Sequence, residues 1–133
     1  MTPFGVAMKM LNMHGKQELL ASSSGMDKNG KGLGVLGSKD EKSIIIQLWN
    51  YSVDSASGKI SVQHIPQEFS NTSLYIRKIS IDGTHNNVFF SENKTGDFEA
   101  ETMKFVVTEP EMKLNFALEP MSLCMWVFET PVK

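Results

Sequence analysis

The sequence predicts an all-β fold, a two-sheet antiparallel β-sandwich of about eight strands with one short N-terminal helix. Three observations lead there. Hydrophobic spacing changes from a helical period to a period of two near Glu18. Beyond that point short apolar runs are separated by clusters of Gly, Asn, Asp and Ser, which is how antiparallel strands and their turns read. The runs number about eight, which suits two packed sheets.

In chain order, the helix comes first. Between Pro3 and Met13 the residues Phe4, Ala7, Met8 and Leu11 recur at helical spacing, with Pro3 suited to a first turn and Gly15 to a C-cap. Strands are then expected at Leu19–Ser23, Gly32–Leu36, Ser43–Tyr51, Lys59–Ile65, Ser73–Asp82, Lys104–Thr108, Met112–Leu118 and Ser122–Glu129. Turn signals fall at Asp27 to Gly30, Ser38 to Glu41 and Ala56 to Gly58. The run Ile44, Ile45, Ile46 is apolar on both faces and marks a central strand covered on both sides. Leu74, Ile76, Ile79, Ile81 and Leu114, Phe116, Leu118 alternate in part with polar residues, as half-exposed strands do. The longest irregular stretch runs from Gly83 to Glu101, and a connection of that length is usually functional or packs against something. Residues 1–15 therefore form the helical lead and residues 16–133 the sandwich, which at 133 residues share one domain.

Composition narrows the function. Thirteen Lys and Arg against fifteen Asp and Glu leave no basic excess to neutralise phosphates, which argues against nucleic acid. No apolar stretch reaches the ~20 residues that span a bilayer, and the N-terminus lacks the apolar region of an export signal, so a soluble chain is expected, its compartment open. Cys124, the single cysteine, lies in an apolar run and reads as a small buried hydrophobe.

Chemistry-bearing constellations are sparse. His14, His64 and His85 are too scattered for a metal-binding spacing, so no metal or other cofactor is expected. His14, near the end of the helix, suits a carbonyl cap. The carboxylates Glu99, Glu101, Glu109, Glu111 and Glu119 lie in expected turns or beside Pro110 and Pro120, and read as solvated loop charges rather than as the paired acids of a glycosidase. No nucleophile elbow surrounds the serines 22–24, and the glycines between Gly30 and Gly37 lie between strands, where no phosphate cradle forms. Two groups remain as binding candidates. Trp49, Tyr51 and Tyr75 carry flat rings with polar edges of the kind that stack on pyranose faces, against the commoner role of core aromatic. Asp82, Thr84, His85, Asn86 and Asn87 open the long loop; they are candidates for an interface or cleft rim, against the commoner role of bonding the loop's own backbone.

Four segments in order resemble one family. Leu48-Trp49-Asn50-Tyr51 closing a strand, Ile81-Asp82-Gly83-Thr84-His85-Asn86-Asn87 leaving another, Leu118-Glu119-Pro120-Met121-Ser122 before the last strand, and the opening Pro3 to Leu11 are similar to the C-terminal region of family 39 glycoside hydrolases, the group of β-xylosidases and α-L-iduronidase. Gly83 departs from the family, which often carries an acidic residue there. The resemblance implies an accessory sandwich supporting a catalytic barrel, with the opening helix as the barrel's last. The catalytic glutamates of the family sit on the barrel, so the resemblance gives none of these residues a catalytic role. The expected partners are that barrel and an oligosaccharide; an alternative is a free-standing carbohydrate-binding module. A helix whose stripe of Phe4, Met8 and Leu11 normally faces a barrel is expected to fold onto its own sandwich, fray, or drive self-association.

Overall fold

A computed structural model describes residues 3–25, 31–65, 69, 73–82, 101–106 and 111–130. Among the described residues one helix, α1 (Pro3–Asn12), precedes eight strands: β1 (Gln17–Leu19), β2 (Gly32–Lys39), β3 (Ser43–Tyr51), β4 (Ala56–Val62), β5 (Ser73–Ile81), β6 (Glu101–Val106), β7 (Met112–Leu118) and β8 (Ser122–Glu129). Two antiparallel sheets result, one of six strands in the order β1-β2-β3-β8-β5-β6 and one of two, β4-β7. The all-β expectation holds, with the two sheets unequal in size.

The six-stranded sheet is covered on both faces, and the residue parity of its central strands shows how. Ile44, Ile46 and Leu48 of β3, Cys124, Trp126 and Phe128 of β8, and Leu74 and Ile76 of β5 form a buried cluster with Ile60 of β4 and Met112, Phe116 and Leu118 of β7. Ile45, Met125, Val127, Ile79 and Ile81 point the other way, into a second cluster closed by Met10, with Ala7 and Met13 packed against it. The run of three isoleucines thus sits in a strand buried from both sides, as its composition requires. Cys124 is fully buried in the first cluster, as expected of it.

For β5 the half-exposed reading holds in each half of the strand, but the buried face changes along it. Its pairing with β8 is unbroken from Tyr75 opposite Glu129 to Ile81 opposite Leu123, so the shift from even to odd apolar positions is no bulge. The strand buries its even face under β4 and β7 at its start and its odd face under the helix at its end. In β7, by contrast, Met112, Phe116 and Leu118 are buried while Lys113, Asn115 and Ala117 are exposed, the alternation of a strand with one wet face.

Several boundaries move, each for a local reason. Strand β2 continues through Gly37 and Ser38 to Lys39, which pulls its partner β1 back to Gln17–Leu19 and leaves Leu20 fully exposed. The β2-β3 turn is then Asp40 to Ser43, where one Asp40 carboxylate oxygen accepts from the Lys42 and Ser43 amides and the Ser43 hydroxyl at 2.8–3.0 Å. Strand β4 begins at Ala56 rather than Lys59 because Gly58, read as a turn glycine, lies opposite Phe116 and lets that ring lie across it. It is followed by His64, whose φ of 55° cannot continue a strand. Strand β6 starts at Glu101, three residues before the expected position, because Lys78 of β5 still has a pairing partner there.

Candidate functional site

The helix explains the first of the predicted residues. Its last turn tightens, with the Met13 and His14 amides bonding the Met10 and Leu11 carbonyls. This aims His14 inward. It caps no carbonyl with its ring; Nδ1 lies 2.7 Å from the Ser38 hydroxyl and Nε2 2.8 Å from the Gln47 Oε1 atom, while the Gly15 amide donates to Ser38 at 3.0 Å. With the imidazole proton on Nε2, each donor meets an acceptor: Gly15 N–H to Ser38, Ser38 O–H to Nδ1, Nε2–H to Gln47. Ser38 and Gln47 are both buried, so this relay satisfies polar groups that would otherwise carry a desolvation cost. His14 is thereby a structural clip from helix to sheet.

Gly15 also departs from expectation. It is not in the left-handed conformation of a helix C-cap. Instead a Cβ there would fall 2.4 Å from the Lys39 carbonyl carbon and oxygen, so its glycine identity allows the chain to run against the backbone of β2. With the clip it seats α1 on the sheet through Met10, which is fully buried, while Met8 and Leu11 remain 46% and 51% exposed. The stripe read as the partner-seeking face is therefore the outward one, and the inner contact is made by Ala7, Met10 and Met13. The side chain of Phe4 lies outside the described ones.

Register places the remaining candidates. Trp49 is level with Leu123 of β8 and Ile81 of β5, so Trp49, Tyr51 and Asp82 occupy the same end of the six-stranded sheet. Asp82 follows β5 directly; Thr84, His85, Asn86 and Asn87 lie outside the described residues. Tyr75 pairs opposite Glu129, which pairs opposite Ser43, so it stands at the other end. Six residues of strand separate its level from that of Trp49, roughly 20 Å. Its ring lies 5.6 Å from the Lys104 ammonium, and an Arg77–Glu129 ion pair at 2.7 Å lies on the same strand face. Tyr75 does not join Trp49 and Tyr51 in one binding surface.

At the Trp49 end the structure ties two of the sequence segments together. Asn50 is buried, and its Nδ2 donates to the Asp54 carbonyl at 2.8 Å and to the Glu119 carbonyl at 3.0 Å. The Ser122 hydroxyl donates to the same Glu119 carbonyl at 2.7 Å. The turn after β3 is thus locked to the corner through which the chain passes from the small sheet into the large one. Pro120 and Met121 form that corner, and Met121 has a φ of 52°, uncommon for a residue with a side chain. Sequence reasoning singled out the ring residues of Leu48 to Tyr51 and missed Asn50. Its signal was an amide flanked by strand residues, close to its strand's end.

Charge chemistry at this end is modest. Among the described residues no group of three or more His, Cys, Asp or Glu could hold a metal ion. Glu111 accepts a hydrogen bond from Ser61 at 2.7 Å on the exposed face of the small sheet, and Glu101 lies in β6 rather than in a loop. The Asp40 carboxyl is held below its ordinary range, first by the Lys42 amide and then by the Ser43 hydroxyl and amide, with burial opposing; it serves a hairpin, not a site. No described helix is long and apolar enough to cross a membrane.

Comparison with protein-family models gives no match, and neither does comparison with the curated proteins. Solved structures do match. The protein N2152 from Neocallimastix frontalis superposes on 98% of this chain with a TM-score of 0.70 at 10% identity, over 31% of its own length. A glucosidase from Croceicoccus marinus matches 99% of the chain at a TM-score of 0.61 and 10% identity, over 32% of its length. An arabinose-bound GH51 α-L-arabinofuranosidase, MgGH51, matches 94% at 0.55 and 15% identity, over 19% of its length. What is shared is the fold. The chain spans a third or less of each of these proteins, two of which are glycoside hydrolases.

Proposed function

We propose that this chain is a non-catalytic accessory sandwich of a glycoside hydrolase, of the β-xylosidase-like family 39 type, that supports a catalytic barrel and brings the end carrying Asp82 to the rim of its cleft. The observation that carries the reading is that nearly the whole chain, opening helix included, finds its fold within a third of a glucosidase chain. Two further features support it. Asn50 and Glu119, from two of the segments that resemble family 39, meet in one hydrogen bond, so those segments form a single structural unit. The outward residues Met8 and Leu11 leave an apolar strip on the helix of the kind a neighbouring unit covers.

The purified chain is expected to release no nitrophenol from aryl β-xylosides, β-glucosides or α-L-arabinofuranosides; turnover above background would overturn the non-catalytic assignment. In a hydrolase carrying this domain, replacing Met8 and Leu11 together by lysine is expected to lower the thermal midpoint of the barrel. An unchanged midpoint would remove the helix from the interface.

A further inference from the structure

We infer that Trp49 and Tyr51 form a stacking shelf for a chain of β-linked pyranose units, separate from any cleft on a neighbouring barrel. The two residues project from the same face of β3, about 7 Å apart along the strand. Their cross-strand partners are Gly34 and Gly32, so no side chain of β2 stands opposite either ring. At Gly34 a Cβ would fall 2.0 Å from Trp49 Cε2 and 2.4 Å from its Nε1. The indole therefore occupies the space of the missing side chain and lies down over the backbone of β2 instead of standing off the sheet.

Trp49 is not a core aromatic. It belongs to neither buried cluster and is only part-buried, and Tyr51 beside it is 53% exposed. An aromatic laid flat against glycine backbone has one face spent on the protein and the other turned away from it. The flattened indole and the exposed Tyr51 ring two residues on, each with a polar edge, suit the alternating apolar faces and equatorial hydroxyls of a β-linked glycan, whose flat faces stack while its edges hydrogen-bond. The register also places Asp82 at this end of the sheet, so the shelf lies at the end assigned above to the cleft rim, on the domain's own surface. The choice of xylan- and glucan-type ligands rests on the hydrolase reading; the site itself rests on the geometry. Val53 and Met121, exposed by 82% and 61% at the same end, offer an apolar surface to a competing occupant, a second copy of the chain.

The chain carries two tryptophans, and Trp126 is only 5% exposed, so acrylamide quenching reports on Trp49. Titration with xylohexaose and cellohexaose is expected to protect this fluorescence saturably. Tyr51→Ala, an exposed position whose truncation leaves the core intact, is expected to weaken the midpoint by about 2- to 10-fold. Tyr75→Ala is expected to leave it unchanged. Quenching indifferent to both sugars, equal affinity in Tyr51→Ala, or loss in Tyr75→Ala would each overturn the shelf. So would protection that follows protein concentration and dimer mass by light scattering rather than sugar. None of these results touches the accessory role, which fails instead on turnover by the isolated chain.

Discussion

Replacing Asn50 tests the lock between the two turns most directly. Its Nδ2 makes two hydrogen bonds to backbone carbonyls in a setting where Asn50 itself is 2% exposed. Each such bond contributes about 1 kcal/mol net, and a carbonyl left dry and unpaired costs somewhat more. In Asn50→Ala the Glu119 carbonyl keeps the Ser122 hydroxyl while the Asp54 carbonyl loses its Asn50 donor, so the expected loss is about 2 kcal/mol rather than the full cost of two orphans. For a domain of this size that corresponds to a thermal midpoint lower by roughly 6–10 °C. Asn50→Asp sharpens the test, since it keeps the shape and turns the donor into an oxygen facing two carbonyl oxygens. A carboxyl so placed has its pKa raised in the folded state by burial and by its acceptor neighbours. Its protonated form, which can donate one bond, is fully present below the unfolded value of about 4, and that contribution is lost as pH rises through the raised folded value. Urea denaturation at pH 7 should therefore rank wild type above Asn50→Ala above Asn50→Asp, with Asn50→Asp recovering toward Asn50→Ala near pH 4. An Asn50→Ala protein within about 0.5 kcal/mol of wild type would refute the lock.

Other substitutions test the remaining devices by the same denaturation assay. Met121→Gly removes an exposed side chain from a backbone at φ 52° and should stabilise by about 0.5–1 kcal/mol, whereas Met121→Val should destabilise; the reverse order would contradict the strained corner. Gly15→Ala should cost about 2–4 kcal/mol because its Cβ would meet the Lys39 backbone at 2.4 Å, while Gly37→Ala, whose nearest contact is 3.4 Å to a side chain, should change stability by less than about 1 kcal/mol. The Asp40 carboxyl, its folded pKa lowered, contributes stability above its unfolded value of about 4 that is lost as pH falls through the folded value. Asp40→Ala should accordingly be destabilising at pH 7, with the difference from wild type shrinking as pH falls through the lowered folded value; a cost that does not change with pH would count against the turn.

The fold was legible where apolar runs are solid or strictly alternating. Strands β3, β7 and β8 lie where the hydrophobic pattern places them, because each pairs along its full length and most of its apolar residues face a core. The ends of β1, β2, β4 and β6 shifted by two to four residues, since they depend on how far a neighbour continues, which no local pattern encodes. The change of buried face along β5 was hidden for a related reason: its two half-patterns are each too short to read alone. Of the candidate site, Trp49, Tyr51 and Asp82 share one end of the sheet and Tyr75 does not, a distinction that needs the register of β3, β8 and β5 together. The His14 relay was illegible because Ser38 and Gln47 read as ordinary strand residues until the helix is laid over them.

The place of β8 between β3 and β5 has a consequence for how the chain reaches this structure. Strands β3 and β5 never pair with each other; the strand that joins them follows both in the chain, separated from β5 by about forty residues. Until Ser122–Glu129 inserts, the large sheet exists as two fragments, each presenting a long apolar edge with its amides and carbonyls open. Loop closure over such separations is slow, and the open interval is when a neighbouring chain can add a strand in place of β8. Aggregation during expression should therefore track the arrival and integrity of this one strand more closely than the stability of the finished domain.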